Sequence, residues 1–76
     1  MDVKQIGRRI KGFRKLKGYT QAEFAKRVHI SAYMLGSIEQ GKRHPSDELV
    51  ETICGLLRIS KDELMDTVDR GMDAEV

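Results

Sequence analysis

The chain has 76 residues, 39% of them apolar and 34% charged, with a single cysteine. That is one domain's length, with little room for a buried catalytic cleft; a core this small often gains stability from self-association, and one cysteine excludes an internal disulfide. The net charge of +2 conceals a division: residues 1–45 carry eleven Lys/Arg and three Asp/Glu, whereas residues 46–76 carry three and nine, so one half sets up a positive field suited to a polyanion.

Helix-type punctuation recurs along the chain and predicts five helices; no window alternates with period two as a strand would. The first runs from about Val3 to Lys17, with Val3, Ile6, Ile10 and Phe13 on one face and Gly18 as its C-cap. The second begins at Thr20, where Thr20-Gln21-Ala22-Glu23 fits a capping box; Phe24, Ala25 and Val28 form its inner face. The third spans Ser31–Gln40, with Ser31 as N-cap and Ile30 and Leu35 spaced as a hydrophobic staple. Its Leu35 and Ile38 point inward, and Ala32, Tyr33, Gly36 and Ser37 stay outside. The fourth, about Ser46 to Leu57, supplies Leu49, Val50, Ile53, Leu56 and Leu57 to the core. The fifth opens at a second capping-box sequence, Ser60-Lys61-Asp62-Glu63, continues through Leu64, Met65 and Val68, and stops at Gly71. Residues 1–70 form the domain, and 71–76 are expected to be a frayed acidic tail.

Only about His29-Ile30 separates the second helix from the third. So short a link forces a sharp corner, the geometry of a helix-turn-helix, whose second helix can enter a B-DNA major groove.

The residues along Ile10–Leu64 resemble the phage-repressor and Cro-like helix-turn-helix family, Xre type. The matching pieces are Arg14, Gly18-Tyr19-Thr20-Gln21 with Ala22-Glu23-Phe24-Ala25, Ile30-Ser31, Ile38-Glu39-Gln40-Gly41-Lys42-Arg43, Pro45, Leu57-Arg58-Ile59-Ser60 and Glu63-Leu64. The resemblance implies a compact all-α, five-helix, lambda-repressor-like domain. It turns Ala32, Tyr33 and Ser37 toward base edges and puts Ser31 near the backbone or a base. Gln21, Lys42 and Arg43 then meet phosphates, and Arg14 and Glu39 form a structural pair joining the first and third helices. Chemically, Ala32 offers a methyl for a thymine methyl, Tyr33 a stacking surface and a hydroxyl, and Ser37 a hydroxyl that discriminates weakly. Such a helix leaves room for DNA shape to contribute.

Two positions depart from the family pattern. His29 stands where the turn usually has glycine, so a positive φ there would be strained. Gly36 lies inside the third helix at a cost of about 1 kcal/mol against alanine, which either admits DNA closely or only weakens the helix.

Other signals carry less. Gly36 to Arg43 has phosphate-loop spacing, but Arg43 replaces the Mg²⁺-binding hydroxyl residue and no strand precedes it. His29 and His44 have no companions at metal-ligand spacing, so neither metal nor cofactor is expected. Cys54, one turn from Ile53 and Leu57, is expected as a core thiol. No run approaches the roughly 18 apolar residues of a membrane span, and the first residues lack the apolar core of a signal peptide, so a cytoplasmic protein is expected.

The sequence therefore predicts a sequence-specific regulator of transcription that binds double-stranded DNA as a homodimer on a two-fold operator, without enzymatic activity or a small-molecule substrate. Leu64, Met65 and Val68 are expected at the dimer surface. A protein-interaction module on the same scaffold, or a protein co-regulator, stays open. So does the choice between a phage-type repressor and a restriction–modification controller.

Overall fold

The computed structural model describes residues 3–65. Within them the chain forms α1 (Val3–Leu16), α2 (Gln21–Arg27), α3 (Ala32–Glu39), α4 (Asp47–Leu57) and α5 (Lys61–Met65), with no strand among the described residues. None of these helices is long and apolar enough to cross a membrane. Val68, Gly71 and the acidic tail lie outside the described residues.

Side-chain oxygens set the helix starts. The Thr20 hydroxyl accepts from the Glu23 N–H at 3.1 Å, and the Glu23 carboxylate accepts from the Thr20 N–H at 3.0 Å, which completes the capping box. The Thr20 backbone N–H, and after it the Thr20 hydroxyl, hold the Glu23 carboxyl below its ordinary pKa. Ser31 and Ser46 cap α3 and α4 by accepting from Met34 and Leu49. Ser60 accepts from Glu63 at the start of α5.

The first four helices end alike. After α1, the Tyr19 N–H reaches back to Arg14 O and the Gly18 N–H to Lys15 O; Ile30 and His29 repeat this after α2, Lys42 and Gly41 after α3, and Ile59 and Arg58 after α4. Each is a Schellman turn, whose pivot needs a positive φ. Gly18 (85°) and Gly41 (79°) supply it freely, whereas His29 (64°) and Arg58 (59°) adopt it with a side chain.

Between those caps the apolar spacing closes one core. Ile6 and Ile10 of α1 meet Phe24, Ala25 and Val28, then Leu35 and Ile38, then Val50, Ile53, Cys54 and Leu57, and finally Leu64. Each fully buried Ile, Leu or Phe is worth about 1.5–3 kcal/mol. Burial pushes the Cys54 thiol pKa up, as a core position requires. Phe13, Ile30, Leu49 and Leu56 pack against this core while half-buried.

α1 is the hub, packing against α3, α4 and α5. Its approach to α3 is backbone on backbone: a Cβ at Gly7 would stand 2.2 Å from the Ile38 carbonyl oxygen. On its other side, Arg9 donates to the carbonyls of Leu64 and Glu63 at 2.5 and 2.6 Å, with its guanidinium over the Phe13 ring.

One expectation is overturned. Leu64 is fully buried in the protomer's own core, so it is unavailable to a dimer surface; α5 packs it against α1 and α4. Met65 stays half-buried. Leu16, left outside the apolar face of α1, is 77% exposed.

Candidate nucleic-acid interface

The corner between α2 and α3 is made by His29 and Ile30. The His29 backbone turns through its positive φ, and Ile30 drops back to bond Ala25 O at 3.0 Å and pack on the core. α3 then buries Leu35 and Ile38 completely and leaves the opposite side to solvent. Ser31, Ala32, Tyr33 and Gln40 are exposed, and Gly36 and Ser37 are half-buried. Tyr33, a large ring, is 81% exposed. Nothing in the protomer's core accounts for it there, and an exposed aromatic with a hydroxyl suits a wet polar partner.

The helix is held at a fixed angle by a buried ion pair. Arg14 Nε donates to Glu39 Oε2 at 2.7 Å and its Nη2 to Oε1 at 3.1 Å, while Nη1 donates to Tyr19 O at 2.9 Å. Both side chains are almost wholly buried, at 7% and 3% exposure. The fork geometry satisfies both charges and leaves little freedom for α3 to rotate against α1.

Gln21 belongs to the same network. Its Nε2 donates to Glu39 Oε1 at 3.1 Å, which fixes the carboxamide over Gly36. A methyl group at position 36 would meet that amide at 3.6 Å, an ordinary contact, so packing within the protomer does not demand glycine there. The second N–H of Gln21 stays available to a ligand.

Gln21, Ala32, Tyr33, Gly36, Ser37, Gln40 and Lys42 together line a shallow concavity of about 270 Å³. Three base-facing candidates and two backbone candidates thus share one surface. Ser31 stands at the N-terminus of α3 as its cap. Arg43 lies to the other side, on a groove of about 200 Å³ with Met34, His44 and Ser46. Neither Lys42 nor Arg43 has an acidic partner among the described residues. The Gln40 amide was not among the predicted contacts. Its place four residues after Gly36 on the same helix side is the signal that finds it. Among the described residues no three of His, Cys, Asp and Glu gather as a metal site would require.

A short corner, a recognition-type helix with a polar outer face, and cations at its end without acidic partners among the described residues define a helix-turn-helix domain of the nucleic-acid-binding kind. The chain belongs to the Xre/Cro-like helix-turn-helix family: the family model described as helix-turn-helix matches residues 10–64. It is 52% identical over 64 residues to YazB of Bacillus subtilis, an uncharacterized HTH-type transcriptional regulator, covering 84% of this chain and 93% of that one. It is 37% identical over 62 residues to the regulator SinR of the same species, and spans about 56% of SinR's length. Among solved structures, SinR in complex with DNA aligns with a TM-score of 0.75 at 37% identity, covering 80% of this chain and 98% of that one. The restriction–modification controller C.AhdI of Aeromonas hydrophila aligns at 0.78 with 25% identity, covering 83% and 96%.

Proposed function

We propose that the protein is a sequence-specific, double-stranded-DNA-binding regulator of transcription that lays α3 in the major groove. The observation that carries this reading is the exposed face of α3: it turns a Tyr, a Ser and an Ala to solvent, is braced by a buried ion pair and is flanked by cations without an acidic partner among the described residues. Similarity to a regulator solved with DNA supports it.

Ala32, Tyr33 and Ser37 read base edges. Ala32 offers its methyl to a thymine methyl, and the hydroxyls of Tyr33 and Ser37 donate or accept. Gln21, Ser31, Lys42 and Arg43 fix the register on phosphates. Arg14 and Glu39 touch no DNA and set the angle of the helix.

One such helix covers only a few base pairs. A homodimer on a two-fold operator, with half-sites about 34 Å apart, multiplies affinity and specificity. Met65, half-buried at the end of α5, is the described residue proposed for that contact, together with Val68 beyond it.

Selection of bound duplexes from a random pool at near-physiological salt tests the reading. An enriched motif with two inverted halves is expected. A single half-site would refute the dimer, and no enrichment would refute sequence-specific binding. Retention of a protein partner at high salt, with no DNA bound at any salt, would identify a protein-interaction module instead.

A further inference from the structure

Lys4 stands apart from the other cations of α1. Its stem lies against Gly41, the residue that turns the chain out of α3: a Cβ built on Gly41 would be 2.6 Å from Lys4 Cγ and 2.9 Å from Lys4 Cα. The first turn of α1 therefore rests on the C-terminal end of α3. The same close approach recurs one turn later, where Gly7 meets the Ile38 carbonyl. Lys4 is consequently fixed relative to the recognition-type helix rather than to the distant end of the domain. Glu39, the acid of α3, is already taken by Arg14 and Gln21. Lys4 is exposed and has no acidic partner among the described residues. Lys42 and Arg43 follow Gly41 directly and are also exposed.

We propose that Lys4 binds a DNA phosphate, making α1 a further DNA-contacting element beside the N-terminus of α2, α3 and the turn after it. The proposal rests on the DNA-binding reading above. A lysine whose methylenes are already packed loses less freedom on meeting a phosphate than one free in solvent. Lys42 and Arg43, which follow Gly41 directly, add positive charge at the same end of α3. The competing account is purely structural, with the ammonium interacting with the carbonyl end of α3. That role would appear in thermal stability and not in the salt dependence of DNA binding.

Lys4→Gln keeps most of the stem and removes the charge. Lys4→Arg keeps the charge. Lys61→Gln, in the exposed first turn of α5, is the control. Binding is followed by fluorescence anisotropy on a labelled mixed-sequence duplex of about 24 base pairs, across about 50–200 mM KCl, where each neutralised phosphate contributes roughly −0.9 to the slope of log K against log salt. We expect Lys4→Gln to flatten that slope by about 0.9 and to weaken binding several-fold at the low-salt end. Its melting temperature should match the unsubstituted protein. Lys4→Arg and Lys61→Gln should leave slope and affinity unchanged. An unaltered slope in Lys4→Gln, or failure of Lys4→Arg to restore it, overturns the assignment while leaving DNA binding intact. No salt-dependent binding by the unsubstituted protein overturns both.

Discussion

Replacing Arg14 by alanine strikes the one buried ion pair among the described residues. The substitution removes two bonds to Glu39 and one to the Tyr19 carbonyl, and leaves a buried carboxylate with only the Gln21 amide. Removing one partner of such a pair costs about 3–5 kcal/mol, because the remaining charge cannot recover its hydration. At roughly 0.05–0.15 kcal/mol per residue, a chain of 76 residues has about 4–11 kcal/mol in total. The variant should therefore lose about 12–40 °C in melting temperature, at roughly 4–8 °C per kcal/mol for a domain of this size. Thermal and urea melts followed by far-ultraviolet circular dichroism measure this directly. The double variant Arg14→Met with Glu39→Met removes both charges, and should recover most of the stability. It should not recover DNA affinity, since Gln21 loses its acceptor and α3 its polar register. A loss below about 1 kcal/mol for Arg14→Ala, the level of an exposed pair, would refute the reasoning. So would a double variant no more stable than the single one.

Three further outcomes are expected. Thr20→Ala should cost about 1 kcal/mol through loss of the cap. The Thr20 backbone N–H, the main cause of the lowered folded-state pKa of Glu23, survives in alanine, so in urea melts both proteins should lose stability as pH falls through that lowered value. His29→Gly should raise the melting temperature: a side chain in the left-handed region costs about 1–2 kcal/mol, part of which glycine returns as unfolded-state entropy. Gly7→Ala should destabilise by about 1–3 kcal/mol, since the new methyl meets backbone that cannot swing aside. Gly12→Ala, with nothing within 4 Å of the new atom, should instead be stabilising; calorimetry showing the same sign for both would refute the close approach.

The helix starts were legible because a hydroxyl three residues ahead of a backbone donor is a local fact. Thr20, Ser31 and Ser46 each cap the helix that follows. The inner faces of α2 and α3 followed from spacing, and the strained turn at His29 from its residue type. Leu64 was misread because periodicity reports an apolar face and not what covers it. The protomer's own α1 and α4 cover that leucine, and only the folded arrangement shows it. The Arg9 bonds to Glu63 and Leu64 left no trace in the sequence either, since backbone carbonyls have no residue signature. The bond between Gln21 and Glu39 escaped for another reason: both residues already had roles from the family pattern, and a shared contact between them is a matter of side-chain reach.

The Arg9 clasp also bears on how the domain assembles. The described part of α5, Lys61–Met65, draws on contacts from outside its own turn, since even about 12–15 residues of isolated helix is marginal in water. The carbonyls of Glu63 and Leu64 are bonded by an arginine 54 and 55 positions earlier, which ties the order of this segment to α1. The α2–α3 corner can form from neighbouring residues, but the docking of α5 must wait for a long loop to close. Through α1, the order of α3 and that of the most distant described segment are thereby coupled.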